Sequence, residues 1–191
     1  MTQSDSARDR LLKAAGALFY NDGIAATGID AIIQRAGVAR QSLYNNFASK
    51  ADLVSQYLAA RHEEWLALYR ARAATAHGPD DRVLAVFDAY QDHAAQDYGR
   101  GFRGCGLLNA AAELAVGDPG RDAVRRHKEE VEGLLRDPIA ELVDDPARAA
   151  ALARQLSFLL EGATSRAGLE GTGACVAEAR DMARAMLRDL R

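Results

Sequence analysis

The chain has 191 residues, 49% apolar and 27% charged, with 24 Lys and Arg against 27 Asp and Glu for a formal charge of −3. That balance describes a globular chain long enough to bury a sizeable core in one or two domains, and it excludes disorder and a protein coated in positive charge. The longest stretches free of Asp, Glu, Lys and Arg, 41–49 and 104–112, are nine residues each, far short of the roughly 18 apolar residues of a membrane-spanning helix.

No membrane partner is therefore expected, and the polar stretch Met1 to Arg10 lacks the apolar run of a signal peptide, so the expected location is the cytoplasm. Cys105 and Cys175 are too few for a disulfide framework and have no zinc-type spacing. Ile, Val and Thr together number 19, little material for strands, and the predicted fold class is all-α.

Apolar residues at Leu11, Ala15, Leu18 and Phe19 predict a first helix over 6–21, ended by Asn21-Asp22-Gly23. Thr27 three residues before Asp30 reads as the cap of a short second helix, with Ile29, Ile32, Ile33 and Ala36 inward and Gly37 as its stop. A third short helix spans 40–47, with Leu43 and Phe47 on one face. Ser49-Lys50-Ala51-Asp52 then caps a long fourth helix through Tyr57, Arg61, Trp65 and Leu68. After the break at 77–80, Val83, Phe87, Tyr90 and Ala94 mark a fifth helix, and glycines at 99, 101, 104 and 106 predict a bend. A compact sixth helix carries Leu107, Leu108, Ala111 and Leu114, and a seventh carries Val124, Val131, Leu134 and Leu135, with Pro138 expected to kink or end it. Asp145-Pro146 opens an eighth helix over 146–167, and the last helix covers 173–190, for about nine helices in two unequal blocks.

Two short helices joined by Gly37-Val38-Ala39 form a helix-turn-helix arrangement, whose second helix lies in a DNA major groove. With Leu43 and Phe47 inward, the outer face of the third helix shows Arg40, Gln41, Ser42, Tyr44 and Asn45. Arg, Gln and Asn can make bidentate contacts to base edges, whereas Tyr44, Thr27 and Lys50 suit phosphate oxygens. Residues 1–53 hold 6 basic and 5 acidic residues. Non-specific attraction to DNA should therefore be modest.

The order and spacing of Thr27-Gly28-Ile29-Asp30, Ala36-Gly37-Val38-Ala39, Ser42-Leu43-Tyr44-Asn45-Asn46-Phe47 and Ser49-Lys50-Ala51-Asp52-Leu53 resemble the DNA-binding signature of the TetR family of transcriptional repressors. One departure is Ala39, where the family commonly carries a Ser or Thr that caps the helix and touches phosphate; losing that hydroxyl costs roughly 1 kcal/mol of capping. The resemblance implies a helix-turn-helix DNA-binding domain over 1–53 and a helical effector-binding and dimerisation domain over 54–191. A single short recognition helix reads too few bases, so a homodimer on a palindromic double-stranded DNA operator is expected. The apolar stripes of the last two helices suit a four-helix interface, and family members pair through that helix pair.

The helices between 81 and 143 would form the chamber in which this family binds a small-molecule effector. Candidate ligand contacts are Phe87, Tyr90, Phe102, Cys105, Leu108, Asn109, Glu113, Phe158 and Arg166, although aromatics at helical spacing are more often plain core. Asn109 and Glu113 lie four apart on one side of an apolar helix, with either a structural role or a ligand contact open to them. A buried Glu113 needs a partner, such as Arg103, Arg166 or a polar ligand group. His93 and His127 show no metal spacing, and no metal or cofactor is expected. The expected function is a repressor released from its operator by a small molecule. Two alternatives are a thiol sensor acting through Cys105 and an all-α enzyme using Glu113 and His127; no nucleophile–base pair or cofactor motif accompanies the latter.

Overall fold

The computed structural model describes residues 5–96 and 99–190. Among them the chain forms nine helices and no strand: α1 (Ala7–Asp22), α2 (Ile29–Ala36), α3 (Arg40–Asn46), α4 (Lys50–Ala73), α5 (Pro79–Ala94), α6 (Gly106–Glu113), α7 (Pro119–Ile139), α8 (Pro146–Glu170) and α9 (Ala174–Arg188). No helix among the described residues is long and apolar enough to cross a membrane. The chain divides into two compact units, Met1–Arg61 with Gly106–Val124 and His62–Cys105 with Arg125–Arg191. The first unit takes in α6 as well as the N-terminal helices, so the 53/54 boundary remains a proposal about function.

In the first unit, Ser6 caps α1 through a reciprocal box: its hydroxyl accepts the Asp9 N–H at 3.1 Å while the Asp9 carboxylate accepts the Ser6 N–H at 3.3 Å. Leu11, Ala15 and Phe19 of α1, Ile32 of α2, Leu43 of α3, Phe47 beyond it, and Leu53 and Tyr57 of α4 are all buried. Phe19 and Tyr57 meet edge to face with ring centres 5.4 Å apart. At Gly106, a Cβ would stand 3.1 Å from both Tyr20 Cδ2 and Tyr57 Oη, so the start of α6 seats against two tyrosines only because it lacks a side chain.

The cap of α2 differs from the sequence expectation. Gly28 is the N-cap and makes no side-chain cap bond, while Thr27 is buried and its hydroxyl donates to the Gly23 carbonyl at 2.6 Å. The reason is local: a threonine hydroxyl that finds a carbonyl four residues back stabilises the turn instead of the helix end. Gly37, in the left-handed region at φ 62°, ends α2 as expected.

The second unit is built around Trp65, Val83, Phe87, Tyr90, Leu135, Ile139, Leu156, Leu160, Val176 and Ala183, all buried in one apolar cluster. Asp145 caps α8 by accepting the Ala147 N–H at 2.9 Å, with Pro146 at the first helical position. α8 runs to Glu170, three residues beyond the expected end, because the left-handed C-cap is Gly171 (φ 72°) and Gly168 serves another purpose. A Cβ at Gly168 would lie 2.6 Å from the Gly104 nitrogen, so the loop around Gly104 lies directly on α8 there. Pro138 sits inside the last turn of α7, which ends one residue later at Ile139.

Candidate nucleic-acid interface

α3 is two turns long, and its inner face is fixed by Leu43, fully buried, and by Phe47 just past its end. Its outer face is exposed at Arg40, Gln41, Tyr44 and Asn45, with Tyr44 51% exposed, while Ser42 is half-buried. The polar groups on this face are already ordered. The Arg40 guanidinium pairs with the Asp30 carboxylate of α2, Gln41 donates to the Asn45 side-chain carbonyl at 3.0 Å, and Asn46 donates to the Ser42 carbonyl at 2.7 Å. Exposed bonds of this kind contribute little stability, so exchanging them for bonds to a partner costs little. Ala39 is the N-cap of α3 and makes no side-chain cap bond, the consequence expected of that departure from the family pattern.

Next to α3, α4 is capped by Ser49, whose hydroxyl accepts the Asp52 N–H at 3.0 Å, and the Asp52 carboxylate returns to the Ala48 N–H at 2.9 Å. A hydrogen bond from the Gln56 side chain, and then that backbone bond, lower the Asp52 carboxyl from its ordinary value. Lys50 is half-buried and donates to the Ile24 carbonyl at 2.6 Å. The turn after α1 is held from the other side by Glu113, whose carboxylate accepts the Ile24 and Ala25 N–H groups at 3.0 and 2.7 Å.

The predicted ligand contacts are divided between the two units. Leu108, Asn109 and Glu113 lie on α6 in the first unit, where Glu113 is exposed and bonded to backbone amides, not buried against Arg103 or Arg166. Phe158 and Arg166 lie on the outer surface of α8: Phe158 is 60% exposed under the Arg154 guanidinium, and Arg166 pairs with Glu170 at 2.8 Å. An amphipathic stripe alone does not tell which of two apolar faces of α8 looks inward, and packing leaves these two positions outside. Together with Leu159, Ala163, Cys175, Ala179 and Met182 they line an open cleft of about 600 Å³ between α8 and α9.

Phe87, Tyr90, Phe102 and Cys105 are buried in the second unit. Around Tyr90 the interior turns polar. Lys128 Nζ lies 3.2 Å from the Tyr90 hydroxyl and 3.7 Å from Glu161 Oε1, and burial pushes the Tyr90 phenol up to about 12. Burial opposes the Lys128 charge, yet Cys105, Tyr90 and Glu161 hold its pKa above the usual lysine range. Trp65 stacks on Tyr69 and tilts onto Tyr90, and its indole N–H is buried with no hydrogen-bond partner among the described residues. His127 meets Trp65 edge-on, and its Nδ1 lies 2.9 Å from His62 Nδ1; burial first, then the charges of Lys128, His62 and His93, push it down to about 3. Lys128, Trp65 and His62 were not predicted as site residues. For Lys128 the signal was present, because it falls between Val124 and Val131 on the apolar stripe of α7.

Residues 11–57 match the family described as bacterial regulatory proteins, tetR family. Over 98 residues the chain is 35% identical to the transcriptional repressor KstR2 of Mycobacterium tuberculosis, covering 49% of each. It is 33% identical over 97 residues to the transcriptional activator FasR of Mycolicibacterium smegmatis, covering 49% of this chain and 44% of FasR. The chain thus spans about half the length of the curated relatives it matches. SCO4454, a TetR-family transcriptional regulator from Streptomyces coelicolor, superposes with a TM-score of 0.87 at 31% identity, over 96% of this chain and 95% of that one. The Glu113 and His127 enzyme reading finds no support among these regulators: Glu113 is committed to backbone amides in one unit and His127 is a neutral core histidine in the other. On the helix-turn-helix geometry and the likeness along nearly its full length to SCO4454, the chain belongs to the TetR family of transcriptional regulators.

Proposed function

We propose that this regulator is a repressor that grips a palindromic operator as a homodimer and is released by a small molecule bound in its second unit. In this reading residues 1–53 form the DNA-binding block and 54–191 the effector-binding and dimerising block. The observation that carries it is the exposed face of α3, where Arg40, Gln41, Tyr44 and Asn45 present hydrogen-bonding groups over a buried Leu43. Arg40, Gln41 and Asn45 take base edges; Tyr44, Ser42 and Lys50 take phosphate and fix the register. Thr27 drops out of the contact set, since it is buried and bonded to Gly23.

The exposed Phe158 and Met182 beside the cleft along α8 and α9 support pairing of two copies through that face. Effector binding is supported by the polar groups sunk around Tyr90, where the Trp65 N–H, unpartnered among the described residues, and the Lys128 ammonium favour a ligand with hydrogen-bond acceptors. α4 runs from Lys50 in the first unit to Trp65 in the second, so a ligand that prefers one setting of this helix changes DNA affinity by its difference in affinity for the two settings.

Fluorescence polarisation with DNA from upstream of the protein's own gene tests the assignment. Tyr44→Ala and Asn45→Ala are expected to weaken binding by about 1–3 kcal/mol each, with the Asn45 change relaxing base preference, and affinity should fall steeply with salt. Unchanged affinity and selectivity in both variants would overturn the recognition assignment.

A further inference from the structure

The first unit contains a cleft that shares only Lys50 with the proposed DNA contacts. About 400 Å³ in volume, it lies between the start of α4, at Lys50, Val54 and Ser55, and the α6–α7 link at Leu114 with the first turn of α7 at Gly120, and Ile24 completes the wall. That volume falls in the range of small-ligand sites, about 300–1,000 Å³. Gly120 has no room for a side chain: a Cβ there would stand 2.6 Å from Leu114 Cδ1 and 3.2 Å from Leu58 Cδ1.

The lining is mostly apolar, with two charged groups. The Asp118 carboxylate is already committed to the Gly120 N–H at 2.7 Å, at the start of α7. Lys50 is the one cation in the wall, and its ammonium has three donors, of which one goes to the Ile24 carbonyl. A half-buried cation with donors left, beside Ile24, Val54 and Leu114, matches a molecule with an apolar body and a single anionic end.

We propose that this cleft binds a small amphipathic carboxylate, its tail against Ile24, Val54 and Leu114 and its head on the Lys50 ammonium, and that occupancy competes with DNA for Lys50. The competition rests on the phosphate contact assigned to Lys50 above; the binding site does not. Such a ligand would act on the DNA-binding unit directly, separately from an effector in the second unit.

Octanoate, with octanol and octylammonium as controls, is the probe, and methyl NMR of the full-length chain is the readout. Octanoate should shift the Ile24, Val54 and Leu114 methyls saturably, with octanol and octylammonium about tenfold weaker or more. Lys50→Gln keeps a donor for Ile24 but removes the charge, and should bring octanoate down to the affinity of octanol. Ser55→Trp, at an exposed position of α4, fills the cleft and should abolish binding of both. Equal binding of octanoate and octanol to the unaltered chain overturns the head-group assignment. Shifts confined to Val131 and Leu135 overturn the site and place octanoate in the second unit, in favour of the effector reading. In polarisation assays octanoate should weaken operator binding by the unaltered chain and not by Ser55→Trp. Operator affinity that holds with the cleft saturated overturns the competition and, with it, the Lys50 phosphate contact.

Discussion

Along α3 the exposed side chains are Arg40, Gln41, Tyr44 and Asn45, whereas along α8 and α9 they include Phe158 and Met182, 60% and 53% exposed. The two faces spend their exposure differently. A polar face is at ease in water and keeps its donors ready for a partner that must be gripped and released. An apolar face forfeits roughly 25 cal/mol for every Å² left wet, and is best explained by a partner that stays. The comparison therefore separates a surface suited to a transient, charged partner from one suited to a lasting, apolar partner.

The largest effect is expected from breaking the apolar face. Phe158→Glu combined with Met182→Glu places two carboxylates where two copies are proposed to meet. The dimer dissociation constant should rise by about a hundredfold or more, equivalent to about 2.7 kcal/mol. Both positions are exposed in the single chain, so helicity should be retained. Sedimentation velocity reads the outcome, and a double variant that stays dimeric at wild-type concentrations would remove α8–α9 as the interface.

A second contrast lies between polar groups kept outside, as on α3, and those kept inside, as around Tyr90. His127 is buried against His62 and Trp65 with Lys128 and His93 nearby, and its pKa is pushed down to about 3 from 6.5. Between those values the unfolded chain takes up a proton that the folded chain refuses. Its contribution is thus fully present above pH 6.5 and is lost as pH falls, by up to about 1.4 kcal/mol per pH unit. Urea unfolding at pH 6.5 and 5 should show a loss of about 2 kcal/mol from this residue, and His127→Gln should lack that part of the slope. An identical slope in the variant would place the pH dependence elsewhere.

Helices and their order were legible because periodicity and caps are local: Asp145-Pro146, Gly37 and the Leu43–Phe47 pair all stand where the sequence puts them. Which side chains of α3 stay exposed was legible for the same reason, since a two-turn helix with two inward residues leaves few choices for the others. Phe158 and Arg166 were not legible as surface residues, because α8 has apolar side chains on more than one face and only tertiary packing decides which is covered. The partners of Glu113 were not legible, because they are backbone amides 88 and 89 residues away, a pairing no side-chain pattern announces.

That pairing supports the smallest effect. The turn after α1 is held by three side chains: Glu113 accepts the Ile24 and Ala25 amides, Lys50 donates to the Ile24 carbonyl, and Thr27 donates to the Gly23 carbonyl. Gly23 itself has φ 93°, and a Cβ there would stand 2.9 Å from Glu113 Oε1. Glu113→Ala should cost about 1.5 kcal/mol in urea unfolding, the low end for charged hydrogen bonds because the carboxylate is exposed. Gly23→Ala should cost about 1–2 kcal/mol from the backbone conformation alone, and more while the carboxylate occupies the space its methyl needs. In the Glu113→Ala background that extra part disappears, so the two changes together should cost less than their sum. Strict additivity in this double-mutant cycle would mean that the Glu113 carboxylate does not sit on the turn in solution, and that the turn after α1 is secured by Lys50 and Thr27 without it.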